Sequence, residues 1–572
     1  MGRLQAGYVL DEHAKDDANC AGQNYWWVYI AEVLDRLGLT AIAVPPAEIA
    51  RRLRDLSLLF VHGRNASPCD ADLDAWVRSG GTLIGCHCEG LDDVCGNELL
   101  SRAQQPGDDF SVTAELRLTD TPFTAGLVPP SDLHKPLLIA SPLRAVRAKA
   151  SQPLGETDIG AVITARQYGA GSAFYFGFDL AQTFWAIQQG RPVNADHDGD
   201  GYWRTADAIV IGDHDAEIPY TDILLFLVQN MTAMRPHPMV HQLPPLNGSV
   251  PDMVLYYGGD DEGEEGVHSP AAEFMHSRGL PYHINCMLRD GQFAIGPHEA
   301  KALAARRTEV SLHYNFMDGF VHPTGFAQAD VRSQTEQFVS HFGKRPVCTV
   351  THWCRWTGSA EPALWMSEQG VRADNSYLHC RSAKLNPINL IGFSFGTSYP
   401  FFFWADHALG NRRVEFVELP ITAYELGYEG ERTDFERIER ALDLARQYQA
   451  TMNFFYHPVY IAKYPACRKA IDRLLSLIEE RGLKVLHSTP DAVAQWWLDR
   501  SRTRIEDATF ERGTLRFRVC APSPLGCIVK VPVGSFQTAS TRSPHEVSRK
   551  FGQKWLMLVL GKGETDVKVE LH

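Results

Sequence analysis

The sequence predicts an α/β protein of several domains that ends in a small antiparallel β domain. Three observations support this. Short apolar, β-branched runs alternate with helical apolar spacing over residues 1–235 and again over 252–500, a proline-rich stretch lies between, and from residue 503 only short strands follow. Helices between strands imply crossover connections, and crossovers imply parallel sheets covered on both faces. At 572 residues the chain is too long for one core, since domains hold roughly 150 residues each.

In the first unit, Trp26–Leu37 and Asp72–Arg78 have helical spacing, and Thr40–Val44, Leu58–Val61 and Gly81–Gly85 read as strands. Gly171–Phe178 is a later strand and Asp179–Gln189 the helix after it. Strands separated by helices imply a parallel sheet, and the resemblance carried by the next residues implies one of flavodoxin-like type. The run Leu58-Leu-Phe-Val-His62, then a helix, then Gly80-Gly-Thr-Leu-Ile84 resembles the glutamine-amidotransferase-like domains attached to carbohydrate-active enzymes. In active members of that family a cysteine sits on the turn after such a strand, and here Cys86-His87-Cys88-Glu89-Gly90 occupies it. A nucleophilic thiol needs a lowered pKa and an oriented base. No later His-x-Glu pair supplies one, and if Cys88 is meant, Cys86 replaces the family's glycine. The turn is therefore expected to be structural and the domain non-catalytic.

Asp196-His-Asp198-Gly-Asp200-Gly201-Tyr202 runs on to Asp207. Acids at positions 1, 3, 5 and 12, with glycine at 6 and the Tyr202 carbonyl at 7, match the spacing of a loop that wraps Ca2+. An acidic turn held by Asx hydrogen bonds accounts for the same residues. Either way the role is structural. Pro236–Pro251, with prolines at 236, 238, 244, 245 and 251, reads as an extended linker.

The second unit places strands at Met253–Tyr257, Glu309–His313, Val347–Thr351, Val414–Glu418, Thr451–Tyr456 and Lys484–His487. Helices such as Pro297–Ala305, Ala329–His341, Asp434–Tyr448 and Arg468–Arg481 lie between them. This alternation predicts a (β/α) barrel, deformed or incomplete. From 503 to 572, Thr514–Val519, Cys527–Val531, Lys554–Leu560 and Thr565–Leu571 alternate with no helix between most of them, as in a β-sandwich-like domain.

Composition narrows the function. Apolar residues make up 44% and charged residues 22%, ordinary for a globular protein, and the net charge of −14 with no Lys/Arg run argues against a nucleic-acid partner. No apolar stretch approaches membrane-span length, so no membrane partner is expected. Met1-Gly-Arg-Leu-Gln-Ala-Gly-Tyr8 leads into Asp11, Glu12 and Asp16 without an apolar core of signal-peptide length, and the 12 cysteines are scattered. A cytoplasmic location is the simplest expectation, although removal of a leader would leave the same sequence.

The chemistry centres on Val254-Leu-Tyr-Tyr-Gly-Gly-Asp260-Asp261-Glu262-Gly263, an apolar strand ending in paired carboxylates. A parallel strand that stops at Gly-Gly puts the next side chains on the rim where such folds place their chemistry. Adjacent acids repel unless a cation or a shared proton separates their roles. Histidines follow in order as His313, His322-Pro323, His352 and His457-Pro458. These motifs resemble a divergent polysaccharide deacetylase of the NodB-homology, carbohydrate esterase family 4 type, over about 200 residues. The Thr-Phe-Asp-Asp-Gly signature appears as Gly258–Gly263, and the metal-histidine motif as His313 and His322. Its sequel is Phe342-Gly-Lys-Arg-Pro346. The Arg-x-Pro-x-Gly motif survives as Arg355-Trp-Thr-Gly358, an Asp-x-Ser segment as Asp374-Asn-Ser376, and the closing histidine as Phe454-Phe-Tyr-His457.

The resemblance implies Asp260 as base, Asp261, His313 and His322 as metal ligands, Arg355 as the residue orienting the base, His457 as acid and Asp374 as its partner. One carboxylate and two imidazoles suit Zn2+ with room for water. This requires Asp261 and His313 to reach one ion. The nine residues from His313 to His322 exceed the family spacing, and His352 is the likeliest replacement ligand. The other reading of His352 is an imidazole packed by Trp353 and Trp356. Glu262, Glu264 and Glu265 read as a solvated loop, any of which could replace a family carboxylate. Tyr399-Pro-Phe-Phe-Phe-Trp404 reads mostly as core, with Trp356 or Trp404 the better candidates for stacking on a sugar. The expected function is removal of acetyl from an N-acetylated amino sugar. Two alternatives remain open: another amidase or glycoside hydrolase on the same barrel, or a carbohydrate-binding scaffold without metal.

Overall fold

The computed structural model describes residues 2–63, 70–378, 388–534, 536 and 538–572. It is a mixed α/β structure. The first unit places β1 (Ala6–Val9), β2 (Ala41–Val44), β3 (Leu58–His62), β4 (Thr82–Cys86), β5 (Gly160–Tyr168) and β6 (Gly171–Phe176) in one sheet, in the order β2-β1-β3-β4-β6-β5. The first five run parallel, in the flavodoxin-type order. From β5 outward the sheet turns antiparallel, through strands between Asn97 and Thr157. Those strands were not predicted, because their runs are short and half exposed and lack the continuous apolar signal of β3 and β4.

Pro236–Pro244 is buried. The expected linker is extended as its prolines dictate, but Met239–Val240 pairs antiparallel with Cys527–Pro532. Polar knots join the units. The Arg36 guanidinium, fully buried, donates to Asp222 Oδ1 (2.9 Å) and Thr397 Oγ1 (2.5 Å). Arg500 donates to the carbonyls of Asp35, Arg36, Val240 and His241. The C-terminal part forms two four-stranded antiparallel sheets, one of which includes Met239–Val240.

The second unit is built on β7 (Met253–Asp260), β8 (Tyr282–Met287), β9 (Thr308–Tyr314), β10 (Cys348–Thr351), β11 (Ala373–Asp374), β12 (Phe401–Trp404), β13 (Arg413–Glu418), β14 (Ala423–Tyr424), β15 (Thr451–Phe455) and β16 (Val485–Ser488). The order is β14-β15-β7-β8-β9-β10-β11-β13, all parallel, with β12 antiparallel on β13. No ladder joins β13 to β14 among the described residues, so the expected barrel is not closed. The sheet is nevertheless rolled. β15 and β10 are four ladder steps apart, about 19 Å in a flat sheet at ~4.8 Å per step. Yet His457 after β15 and His352 after β10 both reach the Glu262 carboxylate, at 3.5 and 2.9 Å. On the β8 flank of β7, β16 pairs with Met253–Tyr256 and β8 with Gly259–Asp260, so β16 and the helix Pro490–Arg502 fill the lower end. No helix of the described residues is long and apolar enough to cross a membrane.

Candidate active site

At the C-terminal ends of the rolled strands, Asp260, Glu262, His313, His352 and His457 converge. Asp260 closes β7, and His313 lies near the end of β9. His352 follows β10, and His457 begins the turn into the helix Pro458–Lys463. Donor atoms of Asp260, Glu262 and His313 all lie within 4.8 Å of one another. His313 Nε2 is 3.4 Å from Asp260 Oδ2, His457 Nε2 is 3.8 Å from the same oxygen, and His352 Nε2 is 2.9 Å from Glu262 Oε2. Gly259 makes the approach of β7 to β15 feasible: a Cβ there would lie 2.0 Å from the Tyr456 carbonyl oxygen.

His457 is held from behind by Glu425, a fully buried carboxylate just past β14. Glu425 Oε1 accepts from His457 Nδ1 (2.6 Å) and from the His457 backbone N–H (2.7 Å), and the Tyr428 hydroxyl donates to Oε2. Burial alone would lower the His457 pKa, but hydrogen bonds to Glu262 and Glu425 and the charges of Glu425 and Asp260 raise it well above the usual histidine value. This imidazole is therefore a cation. Glu262 shows the converse: burial raises its carboxyl, while hydrogen bonds to His352 and His457 drive it far below the carboxylate range. Asp260 is pushed well up by burial and by the charges of Glu262, Asp261 and Glu425, against the pull of His457.

His313 tests whether the site suits a cation. It is fully buried, neither ring nitrogen has a hydrogen-bond partner, and burial lowers its pKa to about 3. A neutral imidazole facing two carboxylates with its donors unmet is what a metal ligand requires. Asp260 Oδ1 is likewise buried without a partner. The residues fit a divalent ion.

The donor set differs from the expected one. Asp261 does not join His313. Its Oδ1 accepts from the Gly263 and Met287 N–H groups (2.9 and 2.8 Å), and its Oδ2 lies 2.9 Å from His268 Nε2. β7 ends at Asp260, and Glu262 lies in the turn beyond it with a left-handed backbone (φ 53°), which sets its carboxylate beside Asp260 while Asp261 faces His268. Glu262, expected in a solvated loop, does lie in a turn, but its carboxylate faces the site, which no strand periodicity signals. His322 also lies elsewhere, edge-on to Tyr202 at 4.7 Å, and His352 takes its place beside the carboxylates. The guanidinium of Arg355 does not touch Asp260: it donates to the Thr324 carbonyl and sits over the Tyr202 ring at 5.8 Å, with burial and Arg204 pushing it down to about 10. Asp374 accepts from Thr349 Oγ1 (3.0 Å), and burial pushes it up to about 7; Glu425 holds His457 instead.

Trp356 and Trp404 are buried in the core with the rest of the Tyr399–Trp404 run, Trp356 stacking on Phe403 and donating to the Ser359 carbonyl. The indole that the site does expose is Trp353, 46% accessible in a left-handed turn with φ of 58°. It borders a cavity of about 420 Å3 with Asp260, Glu262 and His457 on one side and Val350, Ile421 and Phe455 on another. Arg204, from the first unit, completes the wall.

In the first unit, donor atoms of Asp196, Asp198 and Asp207 lie within 4.8 Å of one another, while Asp200 pairs with Arg204 at 2.5 Å. Asp196 accepts from the N–H groups of Gly199, Asp200 and Gly201, so Asx hydrogen bonds also hold this loop. Tyr202 packs against His322 and Trp353. Burial pushes Asp198 up to about 6, helped by Asp200 and Asp207. Cys88 Sγ donates to the Val61 and Cys86 carbonyls, and burial, Cys88 and Asp179 push the Cys86 thiol well up.

No family model matches the sequence, and no curated protein is similar to it. Among solved structures, a Mycobacterium smegmatis protein described as a polysaccharide deacetylase aligns at 12% identity over 45% of this chain and 94% of its own, with a TM-score of 0.31. An allantoinase aligns at 15% identity over 45% of this chain and 94% of its own, also with a TM-score of 0.31. A β-galactosidase from Bacillus circulans sp. alkalophilus aligns at 14% identity with a TM-score of 0.24, over 32% of this chain; the match spans 30% of that enzyme. Likenesses this partial assign neither a family nor an activity.

Proposed function

We propose that the chain is a metal-dependent hydrolase of amide bonds, with an N-acetylated amino sugar as its substrate class. The observation that carries this reading is His313, neutral, fully buried and without a hydrogen-bond partner beside Asp260 and Glu262. Asp260, Glu262 and His313 would hold the ion, and His352 keeps the Glu262 carboxylate in place. One imidazole and two carboxylates suit a borderline cation such as Zn2+. When bound, such an ion lowers the pKa of a water and polarises a carbonyl.

The chain's own groups supply the proton transfers. With one oxygen toward the ion, Asp260 would take a proton from the attacking water on the other, its raised carboxyl pKa suiting it to hold that proton. His457, protonated on both nitrogens, donates from Nε2 to the leaving nitrogen, while Glu425 holds the Nδ1 proton and fixes the ring. A C–N bond breaks, a carboxylic acid leaves, and the amine departs with the proton from His457. The exposed indole of Trp353 suits the C–H face of a sugar ring. In the first unit, Asp196, Asp198 and Asp207 would hold a structural Ca2+ through oxygen donors alone. Residues 1–235, 236–251, 252–500 and 503–572 remain the proposed domain division.

Metal content and acetate release test the proposal. Stoichiometric zinc, and acetate released from N-acetylglucosamine or N-acetylgalactosamine oligomers and lost in His313→Ala and Asp260→Asn, would support it. Glycan binding with no metal and no acetate would establish the scaffold alternative.

A further inference from the structure

We propose that His283, Glu309 and Asp491 form a second divalent-cation site, at the opposite end of the rolled sheet from the candidate active site. His283 and Glu309 are ladder partners on β8 and β9, so their side chains leave the same face at the same level. Asp491 comes from the first turn of the helix Pro490–Arg502, which closes the lower end of the strands. Donor atoms of the three lie within 4.8 Å of one another. This reading does not depend on the proposed activity.

Two further observations point to a ligand. His283 is fully buried; its Nε2 lies 3.1 Å from Asp491 Oδ1, but its Nδ1 has no partner. Glu309 Oε2 is also buried without a partner. Asp491 Oδ1 is taken by His283 and by the Cys348 N–H (3.0 Å). The site is also accessible, because Glu309, Lys344, His487 and Thr489 line an adjoining cavity of about 440 Å3.

Two carboxylates face each other across one imidazole, and burial followed by the charge of Asp491 pushes Glu309 up to about 7. Arg307 and Lys344 line the cavity as well, and the charge of Lys344 pulls Glu309 down, but no ion pair ties either to Glu309 among the described residues. A divalent ion would neutralise both acids. Mixed imidazole and carboxylate donors select a borderline ion, and Zn2+ is the probe. Binding there would clamp β8, β9 and the closing helix together.

The test counts zinc per folded chain after equilibrium dialysis, with near-UV circular dichroism as the check on fold. An Asp260→Asn/Glu262→Gln chain, both upper carboxylates removed, should retain one ion. Adding Glu309→Gln or Asp491→Asn should abolish it, whereas His276→Gln at an exposed position should not. The proposal is overturned if the Asp260→Asn/Glu262→Gln chain binds no zinc, an outcome that does not require the lower variants to fold. It is equally overturned if Glu309→Gln keeps the ion. Should the upper site be wrong instead, the parent binds one ion, and Glu309→Gln alone removes it.

Discussion

Replacing Glu425 by Gln isolates what holds His457 charged. The substitution preserves shape: the amide oxygen can still accept from the His457 N–H and Nδ1–H, and the amide NH2 can donate to the Tyr428 hydroxyl, so all three contacts can persist in neutral form. What is lost is one buried negative charge. A charge-assisted bond contributes ~1.5–3 kcal/mol against ~1 for a neutral one. The expected loss is then about 0.5–2 kcal/mol, equivalent to a fall of roughly one unit in the His457 pKa. In the parent the folded pKa lies above the unfolded value. The folded state therefore binds the extra proton between the two, and this stability, complete below about pH 6.5, is lost as pH rises through the folded pKa. Calorimetry from pH 6 to 10 and the ring resonances of His457 report both effects. The parent should lose stability with rising pH over that window, and Glu425→Gln should begin the loss at lower pH. If His457 titrates at the same pH in both proteins, the assigned role of Glu425 is wrong.

Further outcomes follow from the same geometry. Gly259→Ala would set a methyl against the Tyr456 carbonyl; it should destabilise the fold by about 1–3 kcal/mol in urea titration, and activity should fall because His457 and Asp260 shift together. Trp353→Ala, at an exposed indole, should change stability by no more than about 0.5 kcal/mol while weakening oligosaccharide binding about 2–10-fold, read by calorimetric titration. If a metal occupies the upper site, removing it with chelator should lower the melting temperature, since an ion at 100 times its Kd contributes ~2.7 kcal/mol. His313→Ala should abolish that difference. Asp261→Asn, away from the donor atoms, should leave the zinc stoichiometry unchanged and destabilise the fold by about 1–3 kcal/mol through its contact with His268.

The residues that the sequence placed well are those whose positions follow from local rules. Asp260, His313 and His457 each end or follow a strong apolar run, and a parallel strand delivers its last side chains to one rim wherever that strand lies. The parallel sheets and the all-β ending were legible for the same reason. Glu262 could not be read in that way, because it lies past the strand end in a left-handed turn, where side-chain alternation no longer applies. Nor could Glu425: its strand is two residues long and follows Pro420, too little for any periodicity to register.

By itself, the sequence determined that strand ends would carry acids and imidazoles to a common rim, because side-chain alternation and strand termination are set within a few residues. Which of those groups meet was decided only by the rolling of the sheet. That curvature brings β15 and β10 over one carboxylate and leaves His322, Arg355 and Asp374 among other partners. Contacts between groups distant in the chain depend on how the layers pack, and spacing along the chain does not encode that packing.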